Sequence, residues 1–408
     1  MGNQNKKSTK NKTNIKFSEN RNESNITKNL IRKNPIFKNI QTISKNNCKG
    51  FEVYQLKSKN NSIYIAFYGN SYESKWIIFY KYIDNNKIFK EISRLEIGTE
   101  YLSPQIKLKY FYNPLNNKEY LFMSRCDEEI IDVYLIKDEN KYVKINKDYQ
   151  GERRGFNKNI TADSFEVFYN EYDKNIYVII SYILYEYCCF FDYPVEIKKY
   201  IDIIKFEKKQ LKLIKSFTFD LKNNGDVLNL IYKNNKNYSI IIILNNNIQI
   251  IEINNKLEIE NLVVMNNKLY DFLKFNEWPK KFYEVEDNCQ PCSIIKDINK
   301  DYLYITNNKN NKESDLAIID LFKKEIFKFV NFTFLVGSLV KWNNNNIIFI
   351  SLDSFYIFDI KTYQITTKYL NIDNNIPIYY AKPFFSREHK LQSLFLLIRE
   401  LKYYFNNI

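Results

Sequence analysis

Short apolar runs follow one another along the chain from about Pro35 onward, and polar clusters separate them. The runs are five to eight residues long, and many alternate apolar with polar positions. Strands of half-buried sheets have this length and a period of two, whereas amphipathic helices place apolar residues every three or four positions. Only Leu269–Phe275 has helical spacing. The pattern therefore predicts an all-β fold with little helix.

The runs fall into groups of four that repeat at roughly 40–50 residues, the spacing of propeller blades. A seventh group, Ile378–Phe405, has three runs, and the unassigned run Ile36–Ile43 would complete it. A ring closed by its N-terminal strand hides its sheet edges. The sequence predicts a single β-propeller over residues 34–408, with seven blades of four antiparallel strands; a two-domain all-β protein is the alternative. The complete groups are Phe51–Leu95, Gln105–Asn146, Phe165–Phe219, Val227–Val264, Cys292–Val330 and Gly337–Leu370.

Glycine and proline are scarce, at eight residues each. Asn and Asp also tolerate turn conformations, because their side chains hydrogen-bond the nearby backbone. We therefore expect the turns to rely on Asn and Asp. Lys, Asn, Ile, Tyr and Phe are also the residues that A/T-rich codon usage favours, so the lysine content alone does not identify a partner.

Half of the formal net charge of +14 lies at the N-terminus. Residues 1–33 hold nine Lys and Arg residues against Glu19 and Glu23, a net +7. The segment is polar and has no apolar periodicity, so it is predicted to be a disordered basic tail. Such a tail binds an acidic partner or an anionic membrane surface; a solvated tail without a partner explains the same residues.

Gly2 is a candidate lipid site. It follows the initiating Met, as N-myristoylation requires, although Lys6 occupies the position that favours Ser or Thr. An acyl chain and a polybasic segment together hold a protein on a membrane. Residues 1–29 lack the apolar core of a secretory leader, and six cysteines do not make a disulfide scaffold in a chain of this length. A cytoplasmic location is therefore expected.

Residues 347–360 carry a motif at the junction of two strands. Ser351 ends the first strand, Asp353 lies in a tight turn, and Phe358 and Asp359 close the next run. The pattern resembles the blade motif of the WD-repeat propeller family, in which the closing pair is Trp-Asp.

Two other groups keep parts of this motif: Asp127 follows Ser124 in one, and Asp320 closes the run of the other. Asp320 and Asp359 are one blade apart in the predicted repeat. The Gly-His dipeptide of the family is absent from the sequence, and His389 is the sole histidine. The chain resembles a degenerate WD-repeat propeller. The resemblance implies structural blade turns at Asp127, Asp320, Asp353 and Asp359, and a protein-binding scaffold.

The remaining motifs carry little chemistry. Cys289 and Cys292 form a Cys-x-x-Cys without a second pair, so no metal site is predicted. Arg153 and Arg154 lie between two glycines and suit an anion-binding loop, although a solvated loop between blades is the favoured interpretation. His389 lies in a charged turn. The sequence predicts no enzyme and no cofactor.

The sequence therefore predicts a non-enzymatic protein–protein interaction scaffold or a subunit of a larger complex. A peripheral membrane protein, held by residues 1–33, is the first alternative. An enzyme with carboxylates on one propeller face is the second. Protein partners are expected, and neither a nucleic acid nor a small-molecule substrate is predicted.

Overall fold

The computed structural model describes most of the chain after residue 37. The described residues are 38–43, 48–70, 75–98, 106–125, 130–146, 158–187, 194–220, 228–234, 237–244, 247–254, 256–266, 292–297, 302–308, 313–323, 325–336, 338–343, 345–351, 354–370, 380–386, 391–397 and 401–406. The helical candidate Leu269–Phe275 lies outside them.

Strands dominate the described residues. The first fourteen strands are β1 Lys38–Ile43, β2 Cys48–Leu56, β3 Ser62–Asn70, β4 Lys75–Ile83, β5 Ile88–Gly98, β6 Ile106–Asn113, β7 Lys118–Arg125, β8 Ile130–Asp138, β9 Lys141–Lys144, β10 Lys158–Asn170, β11 Asn175–Tyr187, β12 Pro194–Glu207, β13 Gln210–Asp220 and β14 Leu228–Asn234. The others are β15 Asn237–Leu244, β16 Asn247–Ile253, β17 Ile259–Asn266, β18 Cys292–Asp297, β19 Tyr302–Asn308, β20 Ser314–Asp320, β21 Glu325–Phe332, β22 Ser338–Lys341, β23 Asn346–Ile350, β24 Ser354–Asp359, β25 Gln364–Leu370, β26 Tyr380–Ser386, β27 Leu391–Leu397 and β28 Leu401–Asn406. A short 3-10 helix, Lys57–Lys59, joins β2 to β3.

These strands pair in four-stranded antiparallel sheets, and almost every sheet is made of four consecutive strands. The sheets are β2–β5, β6–β9, β10–β13, β14–β17, β18–β21 and β22–β25, together with β26–β28 joined by β1. The predicted grouping of strands in fours is therefore confirmed. Their branched and aromatic side chains pack well on a pleated surface, which favours strands over helices here.

The predicted single ring of seven blades is wrong in its count. The chain divides into two compact units: Ile36–Asn266 with Ile376–Ile408, and Asn267–Asn375. The first, larger unit holds five blades, and the smaller unit holds the β18–β21 and β22–β25 sheets. The physical reason is that the two sheets of the smaller unit share a hydrophobic cluster of their own, which includes Leu316 of β20 and Phe349 of β23.

In the larger unit, successive sheets stack face to face. One cluster joins the β2–β5 and β6–β9 sheets through Phe79 and Leu121. A second joins the β6–β9 and β10–β13 sheets through Phe122 and Val178. A third joins the β10–β13 sheet to β16 through Ile179 and Ile251. Sheets that present apolar side chains on both faces need such neighbours, because each face must be buried.

The N-terminal strand completes the last sheet. β1 pairs antiparallel with β28, with Lys38 opposite Phe405 and Ile43 opposite Leu401. The predicted pairing of Ile36–Ile43 with the final group is confirmed for Lys38–Ile43. The pairing gives β28 a partner along an edge that would otherwise invite association with another chain.

Fourth strands of several sheets carry a β-bulge shortly after the turn that precedes them. The register between paired strands skips Ile92 in β5, Ile214 in β13, Phe327 in β21 and Thr366 in β25. A bulge inserts one unpaired residue, bends the strand and increases its twist. The bulged residue is the fifth of β5 and β13 and the third of β21 and β25, so sheets of both units place a bulge early in the fourth strand.

The described turns use Asn and Asp to begin the turn, whereas other residue types also occupy the left-handed position. Asn113 and Asn170 begin turns, and their side chains accept the backbone N–H of the residue two positions on. The left-handed position that follows is held by Asn117 (φ 53°) in one turn and by Lys174 (φ 61°) in the other. The other described non-glycine residues with positive φ are Asn60, Asn61, Lys87, Lys208, Lys209, Leu257 and Tyr363. Lysine therefore occupies left-handed positions at which glycine would have a lower steric energy, because glycine has no Cβ atom.

Candidate interaction surface

Ion pairs join the first strands of neighbouring sheets in the larger unit. Lys382 of β26 pairs with Glu52 of β2. Lys109 of β6 pairs with Glu166 of β10 at 2.8 Å. Lys382, Glu52, Lys109 and Glu166 each lie four residues before the end of their strand. Positive and negative side chains therefore alternate at one level across four successive first strands.

Two contacts show that β26 and β2 run in the same direction. Lys382 pairs with Glu52, and further along both strands Gln55 Nε2 donates to Ser386 Oγ at 2.8 Å. The Lys109–Glu166 pair places β6 beside β10, and each of these two residues lies four positions before the end of its strand.

Glu119 of β7 holds the turn of the adjacent sheet. Its buried carboxylate accepts the backbone N–H of Lys57 at 2.6 Å and the Tyr110 hydroxyl at 2.6 Å. The Ser58 hydroxyl is a third donor. Burial, followed by the bond to Glu119, raises the pKa of Tyr110 above its ordinary value. Three donors from the protein bind the carboxylate, so it acts as a structural clamp.

A second carboxylate, Glu139, joins the same two sheets. It accepts Lys81 Nζ at 2.6 Å and the Tyr64 hydroxyl at 2.8 Å. These bonds, with Lys81 first, hold the pKa of Glu139 below its ordinary value. The hydroxyls of Tyr54 and Tyr142 meet nearby at 3.2 Å in a buried position. This polar network joins the β2–β5 and β6–β9 sheets.

The turns after Asn113 and Asn170 present large apolar side chains to solvent. Leu115 is 57% exposed and Tyr172 is 65% exposed. In both turns the backbone N–H of the exposed residue is held at 3.0 Å by the Asn Oδ1 atom two positions earlier. The two side chains therefore stand on rigid backbone in neighbouring sheets. Tyr is one of the residue types enriched among the anchors that dominate the binding energy of protein–protein interfaces.

Two of the predicted blade-turn residues lie in the described structure. Asp320 ends β20, and its carboxylate accepts the backbone N–H groups of Phe322 and Lys323. Asp359 ends β24 and accepts those of Lys361 and Thr362. The bond from Thr362 is the main reason that the pKa of Asp359 is lowered. Both residues cap the turn before a fourth strand.

The other candidate residues of the sequence, Asp127, Asp353, Arg153, Arg154 and Gly2, lie outside the described residues, as do Cys289 and His389. Sequence reasoning missed Glu119, Glu139 and the alternating layer. All of these are charged residues inside or beside a strand, and no sequence motif distinguishes such a residue from one that is exposed to solvent.

Within the described ranges, no group of three or more His, Cys, Asp or Glu residues is placed to hold a metal ion. Among the same residues, no helix is long and apolar enough to cross a membrane.

The arrangement defines the class of protein. Four-stranded antiparallel sheets that stack face to face, with neighbouring first strands in contact, are the blades of a β-propeller. The chain is therefore an all-β protein with a β-propeller fold.

Comparisons with known proteins agree on the fold. No family model matches the chain, and no curated protein is similar to it in sequence. The chain is similar in structure to Sqt1 of Saccharomyces cerevisiae, with a TM-score of 0.53 and 9% identity over 91% of this chain and 99% of that one. The CNH domain of AfRom2 gives 0.50 and 9% over 91% and 99%. BBS1N, in a structure of its complex with ARL6DN, gives 0.52 and 8% over 91% and 97%.

Proposed function

We propose that the protein is a non-enzymatic scaffold that binds other proteins, or a subunit of a larger complex. The observation that carries the proposal is the pair of exposed apolar side chains, Leu115 and Tyr172, on capped turns of neighbouring sheets. Exposed apolar side chains on a rigid frame favour association with a partner surface, because burying them there is favourable and costs little ordering entropy.

The pairing of the buried carboxylates supports a role other than catalysis. Glu52, Glu119 and Asp132 are buried and are paired with Lys382, with three donors and with Lys144 respectively. Catalytic carboxylates converge on a pocket and keep an oxygen directed at the substrate. These carboxylates instead join strands or sheets.

The structural likeness to BBS1N, which was solved in complex with ARL6DN, supports protein partners for this chain as well. Asp320 and Asp359, which cap equivalent turns, support descent from a degenerate WD-repeat propeller. These two positions are the ones at which the closing Asp of that motif is expected.

The test is a tagged pull-down of the full chain with mass spectrometry, compared with a Leu115→Ser/Tyr172→Ser variant. We expect the wild type to capture a defined set of proteins and the variant to lose most of them. Ile214→Ser is the matched control, because Ile214 is exposed on an outer strand of the same unit. A wild-type capture that is indistinguishable from the tag alone would refute the scaffold function.

Membrane association through residues 1–33 is a second proposal, which rests on the net charge of +7 and on Gly2. Vesicles containing phosphatidylserine should float the wild-type chain at low salt. A Gly2→Ala variant with Lys6, Lys7, Lys10 and Lys12 changed to Gln should remain in the unbound fraction. Equal flotation of both proteins would exclude the tail as the anchor.

A further inference from the structure

The smaller unit has an outer strand with an uncovered edge. β21 is the last strand of the β18–β21 sheet, and it pairs along one edge with β20. Among the strands that the structure describes, none pairs with its other edge. Such an edge presents a row of backbone N–H and C=O groups that another chain can extend.

The side chains of β21 differ from those of other fourth strands. Phe327 is 44% exposed and Phe329 is 43% exposed, and Phe322, in the turn before β21, is 85% exposed. Natural edge strands are protected from association by charged or polar side chains. On the other fourth strands the exposed positions are polar at Lys90, Arg94 and Glu96 of β5, Lys212, Ser216 and Thr218 of β13, and Gln364 and Thr366 of β25, with Ile214 of β13, 43% exposed, as a single apolar exception. β21 differs because it has two exposed aromatic side chains two positions apart.

Phe327 is held in place although it is half exposed. Its ring stacks on Tyr302 with centroids 5.2 Å apart, and it lies 6.0 Å from the ring of Tyr363. It also occupies the bulge position of β21. A fixed aromatic ring at an open edge loses little conformational entropy when a partner covers it.

The charges around this edge determine the chemistry of the partner. Lys323 and Lys361 are exposed in the two neighbouring turns, and Lys328 Nζ lies 4.1 Å from the ring centroid of Tyr363. The carboxylates of Asp320 and Asp359 in those turns already accept backbone N–H groups. The exposed carboxylate of Glu325, at the start of β21, is outnumbered by these three lysines, so the edge favours an acidic partner and disfavours the basic segment 1–33 of this chain.

We propose that β21 binds an extended segment of a partner protein, which pairs with the open edge as a fifth strand, covers Phe327 and Phe329 with apolar side chains and places acidic residues beside Lys323 and Lys361. Strand addition takes its affinity from main-chain hydrogen bonds and its specificity from alternate side chains. The proposal rests on the scaffold function and adds a second surface, with the class of segment that it takes.

The test begins with a phage library of random dodecapeptides selected on the immobilised full chain. We expect enrichment of peptides that alternate apolar residues and carry Asp or Glu. The best peptide is synthesised, and its Kd is measured by fluorescence anisotropy. Phe327→Thr/Phe329→Thr should weaken binding at least about tenfold, the range of interface anchors. Ile214→Thr, at the bulged residue of β13, should change Kd by less than about twofold. Hydrogen exchange of β21 amides should slow when the peptide binds.

Three outcomes would overturn the proposal: no enrichment, equal affinity for the double Thr variant, or unchanged exchange in β21. If the wild-type chain dimerises in sedimentation while the double Thr variant stays monomeric, a second copy of the chain is the occupant, and the proposal is also overturned.

If the double Thr variant misfolds, Lys323→Glu/Lys361→Glu replaces it and should weaken peptide binding severalfold. If the Lys323→Glu/Lys361→Glu variant binds the peptide as tightly as the wild type does, the proposal of an acidic segment is rejected. A pull-down unchanged by the β21 variants would reject this surface and leave the scaffold function standing.

Discussion

The Oδ1 atom of Asn170 accepts the backbone N–H of Tyr172 at 3.0 Å, and this bond fixes the turn that carries the exposed Tyr172 ring. The same bond links Asn113 to Leu115 in the neighbouring sheet. The interaction surface is therefore built from two kinds of residue. One kind holds the turn, and the other faces the solvent, so their substitutions should have separable effects.

Replacing Asn170 with Ala should lower the free energy of unfolding by about 1 kcal/mol, the net value of one such hydrogen bond. Tyr172→Ser should change it by less than about 0.5 kcal/mol, because the side chain is mostly exposed. Urea unfolding followed by circular dichroism measures both. Partner capture should fail in Tyr172→Ser at unchanged stability. A large loss of stability in Tyr172→Ser would show that the ring is part of the core.

The alternating layer predicts a charge-swap result. Glu166→Lys should place like charges on β6 and β10 and lower the free energy of unfolding by about 0.5–1 kcal/mol, since the Lys109–Glu166 pair is partly exposed. The double variant Lys109→Glu/Glu166→Lys should recover most of this loss. The difference should shrink in about 1 M NaCl, where such pairs are screened. Additive losses in the double variant would contradict direct pairing.

Much of the fold was readable from the sequence, because strand periodicity is local. The run Phe355–Ile360 predicts a strand, and the structure forms β24 at Ser354–Asp359. The run Ile63–Tyr68 likewise corresponds to β3, Ser62–Asn70. Each run is bounded by polar turn residues, so its existence and approximate ends follow without knowledge of the tertiary structure.

The candidate surface could not be predicted from the sequence, because it depends on contacts between residues that are far apart in the chain. Lys382 and Glu52 are 330 positions apart, and their pairing depends on which sheets are neighbours. The exposure of Phe327 depends on its bulge and on its place in a last strand. The division into two units depends on which sheets share a core. None of these properties has a signature within a few residues of a single sequence.

Acid should weaken the contact between the β2–β5 and β6–β9 sheets. The pKa of Glu139 is lower when folded, chiefly through Lys81, so its contribution is present above its unfolded-state pKa and is lost as the pH falls through the folded-state pKa. We expect the stability of the wild type to fall below about pH 4.5, near the ordinary value for Glu. Glu139→Gln should be less stable at pH 7 and should show a flatter decline in acid. Parallel pH profiles for the two proteins would exclude this role.

Lys208 and Lys209 form a two-residue hairpin turn with φ values of 51° and 64°. Turns with two left-handed residues strongly prefer Asn-Gly, because other side chains crowd the backbone there. Lys208→Asn/Lys209→Gly should therefore raise the free energy of unfolding by about 1 kcal/mol. The control places the same two residue types inside the flanking strands β12 and β13, as Lys205→Asn/Lys212→Gly, which should destabilise the chain. Thermal melts separate the two effects, and a hairpin variant that melts below the wild type would contradict the expected relief of crowding.

The N-terminal strand predicts a threshold in a truncation series. Gln41 of β1 accepts the backbone N–H of Phe89 at 2.7 Å and donates to its carbonyl at 2.8 Å, which ties β1 to β5 of the neighbouring sheet. Deleting residues 1–45 removes this link and the pairing with β28, and it exposes a sheet edge. We expect a lower melting temperature and aggregation in size-exclusion chromatography, whereas deleting residues 1–30 should leave both unchanged. Gln41→Leu keeps the strand but removes both bonds to Phe89, so it should lower the free energy of unfolding by about 1–3 kcal/mol. If the longer truncation melts like the full chain, β1 does not stabilise the larger unit, and the pairing with β28 has no energetic role.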